Sequence, residues 1–397
     1  MIPILSRSAM SKISKIIFIS LFVGTISGAL SSLFLHSLSW VTSIRESYPD
    51  LIWGLPVFGL LLGLIIKKIP HHINQGVPYI LKELDNEHAH VSPWMVPFIF
   101  LASLGTHLFG GSAGREGVGV IMGASAAHLM PRMRKSYKEM RPFLIYAGIA
   151  AGFSSIFGTP LAAILFAFEL HGFKHVMRRE LVICTALASF IALLIPYFLG
   201  VSHQHFEISY QVEGNLVYYL LIASIASGLG GQIFYWGLRG YTKLISKIFP
   251  ALELKLLMGG LFVSLVVYFT NSYPYIGIGT EVIARSFTEQ MSTQDFALKC
   301  LLTVMTIAIG FKGGEVTPLF FMGATLSNSI SGIFNLKNFA LSSSLGMVGL
   351  FAAVTATPLA SAVMGAELFG WKVGILCLVS CYTGRLMMGR LSVYRHF

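Results

Sequence analysis

The stretch "FSSIFGTPLAAILFAFELHG", residues 153–172, returns as "FAAVTATPLASAVMGAELFG" at residues 351–370, with Phe, Thr-Pro-Leu-Ala, Glu-Leu and Gly in register at an offset of 198. A second echo pairs Ser27-Gly28 and Phe34 with Ser227-Gly228 and Phe234 at an offset of 200. A looser third pairs Gly114-Arg-Glu116 with Gly313-Gly-Glu315, each followed by Met-Gly-Ala at Met122 and Met322. Three echoes in one order describe a tandem of two related halves, 1–200 and 201–397. Repeats of this size build many transporters, which place the substrate at the repeat interface near the middle of the membrane.

The composition around these echoes is that of a membrane protein. Of the 397 residues, 55% are hydrophobic and 11% charged, against about 25% charged in an ordinary soluble domain. Mean hydropathy is +0.73. Uncharged runs recur at 16–44, 142–168, 181–206, 214–238, 256–280, 316–336 and 338–366. Each reaches or exceeds the roughly 20 residues that a helix needs to cross a bilayer. The run 16–44 is too long for the apolar part of a signal peptide and reads as a first transmembrane helix. The formal charge of +11 does not point to nucleic acid. The cations gather in short loops, Lys67/Lys68, Arg132–Arg141, Lys174–Arg179 and Arg239–Lys247, which places those loops and the N-terminus in the cytoplasm. The four cysteines lie in or beside apolar segments without metal-type spacing.

Where the apolar runs break, the breaks match between the halves. Thr159-Pro160 and Thr357-Pro358 interrupt long runs with a residue that removes a backbone donor. The run 117–131 is too short to span a membrane, as is 300–311. Short segments interrupted by Gly and Pro at corresponding places are the mark of half-helices meeting at a midplane site. A helix N-terminus carries unpaired N–H groups and a partial positive charge, so it attracts anions. Three such N-termini are expected: after the glycines of 110–119, after Gly313–Pro318, and at "NQGVPY", 74–79, with Pro78 in the first turn. Together they favour a small anion and require no metal or other cofactor.

Within "GGSAGREGVGV", 110–120, Glu116 stands in an otherwise almost uncharged region. A carboxylate at the positive end of a helix is itself an anion, so it can fill the site, yield to substrate, and leave when protonated. One residue then couples an anion to a proton. The plainer alternatives are a capping carboxylate or an ion pair with Arg115. Glu315 lies beside Lys312, and a neutralising contact between them is the bland expectation. Glu169 and Glu367 occupy equivalent places in the repeat, which suggests roles in the fold.

These residues resemble the CLC superfamily of chloride channels and anion/proton exchangers over essentially the whole chain. "GREGVGVIMG" is similar to that family's G-(K/R)-E-G-P motif, "NQGVPY" to its G-S-G-I-P motif and "GTPLAAILFAFE" to its N-A-P-L-A-G-I-L-F-x-x-E stretch. The segments "THLFGGSAGREG" and "GFKGGEVTPLFFMGATLSN" look most like the bacterial fluoride/proton antiporter branch. The resemblance implies an all-α polytopic homodimer, each subunit an inverted repeat with broken and half-spanning helices, in the inner (plasma) membrane of a bacterium. It makes Glu116 the gating glutamate, places Glu315 and Thr317 on the loop of the second half, and makes Tyr394 the central tyrosine. Gly114, Arg115, Gly117 and Gln75 join Thr317 and Tyr394 as anion-binding candidates. Leu170 stands where proton-coupled chloride exchangers carry an internal glutamate. The chain departs from the branch at Gln75 and at Val118-Gly119, and it leaves no room after Tyr394 for a soluble regulatory domain.

The function expected is therefore exchange of fluoride for protons, with a CLC-type chloride channel or chloride/proton exchanger as the alternative. An intramembrane enzyme is disfavoured, because H-E-x-x-H, G-x-S-x-G and paired-aspartate signatures are absent.

Overall fold

A computed structural model describes residues 7–85, 91–133, 135–203 and 215–394. The first half folds into α1 (Arg7–Ser47), α2 (Leu55–Lys68), α3 (Val77–Leu84), α4 (Met95–Leu108), α5 (Glu116–Ala127), the single turn α6 (Met130–Met133), α7 (Arg141–Phe157), α8 (Pro160–Leu170) and α9 (Arg179–Phe198). The second half follows with α10 (Leu216–Ile248), α11 (Leu252–Thr270), α12 (Thr280–Ser286), α13 (Thr293–Ile309), α14 (Val316–Ile333), α15 (Phe339–Thr355), α16 (Pro358–Phe369) and α17 (Trp371–Met388). With α6 set aside, the two halves run long, medium, short, medium, medium, medium, short, long or medium in the same order, so α1 answers to α10, α5 to α14 and α8 to α16.

Five helical stretches among the described residues are long and apolar enough to cross a membrane, within α1, α9, α10 and α11 and at Pro49–Lys68. At a rise of 1.5 Å per residue, the 41 residues of α1 extend about 62 Å, twice the hydrocarbon thickness of a bilayer. The 12 residues of α5 and the 11 of α8 extend only about 18 Å and 17 Å and end inside the protein. Such ends survive at membrane depth only where protein or a water-filled cavity receives them.

Both proline breaks are built alike. α7 ends on Gly158 and α15 on Ala356, each in the left-handed region at φ +79° and +63°, and Pro160 and Pro358 open the next helices. The N–H groups freed at those starts are satisfied by the other half. Glu367 of α16 accepts from Leu161 N (3.0 Å) and Ala162 N (2.8 Å) at the start of α8. Glu169 of α8 accepts from Leu359 N (3.0 Å) and Ala360 N (2.7 Å) at the start of α16. A carboxylate across the positive end of a helix both completes the backbone bonding and opposes the dipole. This reciprocity is what a two-fold relation between the halves produces, and it assigns Glu169 and Glu367 to the fold. Replacing either by Ala should lower thermal stability in detergent by about 1–2 kcal/mol. Loss at one position without a comparable loss at the other would contradict the reciprocal arrangement.

Close packing brings α5 onto α7 at small residues. A Cβ on Gly119 would stand 2.5 Å from Ile156 Cγ1 and 2.8 Å from the carbonyl oxygen of Gly152. The glycine of Val118-Gly119, a departure from the resembled pattern, is thereby explained by the helix contact, as small residues let transmembrane helices approach. Gly323 and Gly346 make the same approach between α14 and α15.

Candidate functional site

The loops that precede α5 and α14 meet at the centre of the molecule. Gly114 N donates to Gly314 O (2.5 Å) and Gly314 N donates to Gly114 O (2.7 Å), a two-bond antiparallel bridge between the halves. Only residues without side chains allow this approach: a Cβ on Gly114 would lie 3.0 Å from Gly314 O, and one on Gly117 3.2 Å from Gly314 Cα. The N–H of Gly114, expected as an anion donor, is committed to the bridge.

The bridge sets Glu116, first residue of α5 and 1% exposed, against the N-terminus of α14. One carboxylate oxygen, Oε1, accepts from the Thr317 hydroxyl; the other, Oε2, accepts from Thr317 N (3.1 Å) and Arg115 N (3.1 Å). The Arg115 guanidinium adds an ion pair, Nε to Oε1 at 3.4 Å. Burying an unpaired carboxylate costs several kcal/mol. Here three donors, one cation and the N-terminal dipoles of two helices offset that cost. The capping and ion-pair readings of Glu116 are thus both realised: the ion pair forms with its neighbour Arg115, and the capping crosses the repeat to the N-terminus of α14.

The remaining candidates are distributed around this contact. Glu315 precedes α14, and its carboxylate is the partner of the Tyr394 hydroxyl, with Glu116 within electrostatic reach of both. Lys312 does not neutralise Glu315 among the described ion pairs. Its Nζ donates to Asn74 O (3.0 Å), tying the α14 loop to the "NQGVPY" loop. α3 begins at Val77 with Pro78 in its first turn, as the sequence indicated. Gln75 turns its amide to His71, with Nε2 at 3.0 Å from Nδ1, and is not among the groups that bond Glu116.

Beside the carboxylate lies a cavity of about 30 Å³ lined by Arg115, Glu116, Thr317, Thr280, Phe157 and Phe320 together with Ile283, Met347 and Leu368. That is room for about one species the size of a water molecule. The phenylalanines and Thr280 were not singled out by sequence. Thr280 opens α12, the second-half counterpart of α3, and "GIGTEV", 277–282, carries the glycine spacing that marks it. The loop before α5 is also braced in a way that sequence did not reveal. Ser112 N donates to Thr306 Oγ1 (3.1 Å), and the Ser112 hydroxyl bonds Tyr275 O (3.1 Å) and Thr303 Oγ1 (2.9 Å).

Comparison with known proteins identifies the family. The family model described as voltage gated chloride channel matches residues 58–389. A chloride/fluoride channel protein of Pseudomonas syringae pv. tomato is 35% identical over 390 residues, covering 96% of this chain and 86% of the relative. The crystal structure of a CLC-type fluoride/proton antiporter superposes with a TM-score of 0.91 at 30% identity, covering 98% of both chains. A slow cyanobacterial Cl⁻/H⁺ antiporter shares the fold at a TM-score of 0.83 and 19% identity, over 94% of both chains. The chain therefore belongs to the voltage-gated chloride channel (CLC) family, as an all-α, multi-pass membrane protein of inverted-repeat architecture that transports anions rather than catalysing a reaction.

Proposed function

We propose that this protein is a fluoride/proton antiporter in which Glu116 couples the two ions. The observation that carries the reading is the Glu116 carboxylate on the Thr317 hydroxyl and N–H, where it stands in for an anion. Protonation removes its charge and weakens those bonds. Fluoride, small and a strong hydrogen-bond acceptor, then takes the vacated donors, and the protonated side chain carries its proton the other way. Glu315 and Tyr394 flank this exchange on the α14 side, Tyr394 as a hydroxyl donor. Arg115 and Gly117 hold the gate loop and the first turn of α5 in place. Gln75 adds an amide donor once it leaves His71.

In the same reading, the chain divides near residue 200, assembles as a homodimer with one pathway per subunit, and sits in a bacterial plasma membrane with its N-terminus in the cytoplasm. The relatives include proteins described for fluoride and for chloride, so the deciding experiment compares the two ions. Proteoliposomes loaded with fluoride or chloride should release fluoride well above chloride, with protons moving in the opposite direction. Equal release of the two ions would replace this reading with a chloride-type transporter, and release without proton movement with a channel.

A further inference from the structure

A cavity of about 740 Å³ lies at the C-terminal end of α10 and shares no lining residue with the cavity beside Glu116. Its walls include Trp236, Arg239, Thr242, Lys243 and Ser246 of α10, and Ser392 of the C-terminal segment. The 33 residues of α10 extend about 50 Å, well beyond the roughly 30 Å of a hydrocarbon core. The helix carries no charge from Leu216 to Leu238, and then Arg239, Lys243 and Lys247. Its C-terminal end is therefore the one that stands among lipid headgroups, with Trp236 where amphipathic rings collect. Leu221, Ile225, Leu229 and Ile233 are exposed at a spacing of four, a stripe that faces acyl chains and leads to the cavity. Leu244 and Ile248 are exposed as well. The cations thus alternate with apolar side chains, as in a segment at the boundary between headgroups and acyl chains.

Arg239, Lys243 and Lys247 share one face of α10. Like charges four residues apart repel, and no ion pair among the described residues relieves these three. Arg239 Cζ stands 5.0 Å from the centroid of the Tyr235 ring, which orients the guanidinium without neutralising it. Lys255 of α11 adds a further cation, its Nζ donating to Ser246 Oγ (3.5 Å). The Ser246 hydroxyl keeps its own proton to donate. No carboxylate lines the cavity, and the first one beyond it along the chain, Glu253, is paired with Lys67. The opposite wall is fixed, because the segment that carries Tyr394 is pinned to α15 by Val393 N to Val354 O (3.1 Å) and Ser392 Oγ to Thr355 O (3.3 Å).

We propose that this cavity binds the phosphate of an anionic phospholipid from the leaflet at the C-terminal end of α10. Arg239 and Lys243 close on the phosphate, Ser246 donates to it, and the acyl chains run back along Trp236, Ile233 and Leu229. A halide is far smaller than the cavity. A soluble phosphate would answer the cations but leave the apolar side chains around them uncovered, whereas a lipid answers both. The site depends neither on Glu116 nor on which ion the protein carries.

The test reads Trp236 fluorescence in full-length protein reconstituted into phosphatidylcholine vesicles. Trp40, Trp53, Trp94 and Trp371 are all exposed, so each can be replaced by Phe to leave Trp236 as the sole fluorophore. Quenching by phosphatidylglycerol brominated on its acyl chains is compared with quenching by equally brominated phosphatidylcholine. A second variant keeps only Trp40, which is 66% exposed on α1 and outside the cavity. The binding preference for the anionic lipid is expected to be about tenfold at Trp236 and absent at Trp40. Arg239→Gln with Lys243→Gln should bring Trp236 down to the control, and Arg239→Lys with Lys243→Arg should keep the preference. Equal preference at Trp236 and Trp40 overturns the proposal even if the double glutamine variant does not fold, and so does a preference that survives that variant. A Trp236 that neither lipid quenches is covered by protein, which also overturns it. Release of the brominated lipid by millimolar inorganic phosphate, but not by sodium gluconate at equal ionic strength, makes the cavity a site for soluble phosphate and overturns the lipid as its occupant.

Discussion

Glu116→Gln should abolish proton movement coupled to anion flux, a fall of about 100-fold or more to the background of empty liposomes. The amide keeps the size and shape of the side chain, so α5 and the Gly114–Gly314 bridge should survive. It cannot take up a proton in the working range, and it carries no charge to compete for the N-terminus of α14. One amide oxygen still accepts from Thr317, but the –NH₂ group that replaces the second oxygen faces the donors Thr317 N and Arg115 N, which bond that oxygen at 3.1 Å. The plug should therefore sit loosely, and any anion flux that persists should run passively down its gradient. Proton uptake measured with external pH during fluoride efflux decides the matter; full coupling in folded Glu116→Gln protein would sink the assignment.

Thr317→Val should narrow the preference for fluoride over chloride. Valine preserves the β-branched volume at the second position of α14 and removes only the hydroxyl, while the Thr317 N–H remains. Fluoride loses more water than chloride on entering a site and needs short donors in return. One hydrogen bond to a charged partner is worth about 1.5–3 kcal/mol, so fluoride flux should fall by about tenfold or more, and chloride flux by less. Paired efflux measurements on the same preparation give the ratio directly. Equal falls for both ions would mean that Thr317 holds the glutamate but does not discriminate between anions. Gln75→Leu should produce a smaller change than Thr317→Val, because in this structure the Gln75 amide is already engaged with His71.

The two mutations also separate what the residues do in the closed arrangement. In the proposed reading Glu116 takes the place of the ion, and Thr317 donates to whatever anion occupies the position. A loss of coupling with retained selectivity in one, and the opposite in the other, is the pattern that this geometry requires.

The amino-acid sequence by itself determined the repeat, the membrane character and the places where helices break. Hydrophobic run length, proline and glycine act locally, and their consequences can be read in order along the chain. It also marked Glu116, because a carboxylate in an uncharged region is costly wherever it ends up. Tertiary structure alone decided which partner each charge finds. Lys312 is three residues from Glu315 and yet bonds Asn74, 238 positions away. Glu169 and Glu367 cap each other's helices rather than their own, and Thr317 reaches Glu116 across 201 residues. These pairings follow from the two-fold relation between the halves, which brings half-helix ends together from opposite parts of the chain. The partners of Lys299 were equally hidden: it reads as one charge beside an apolar run, and only the packing of α13 against the 273–279 loop places its ammonium on the carbonyls of Tyr275 and Gly277. Spacing along a chain fixes which residues share a helix; the burial of polar ends at membrane depth, where no water can satisfy them, fixes which helices must meet.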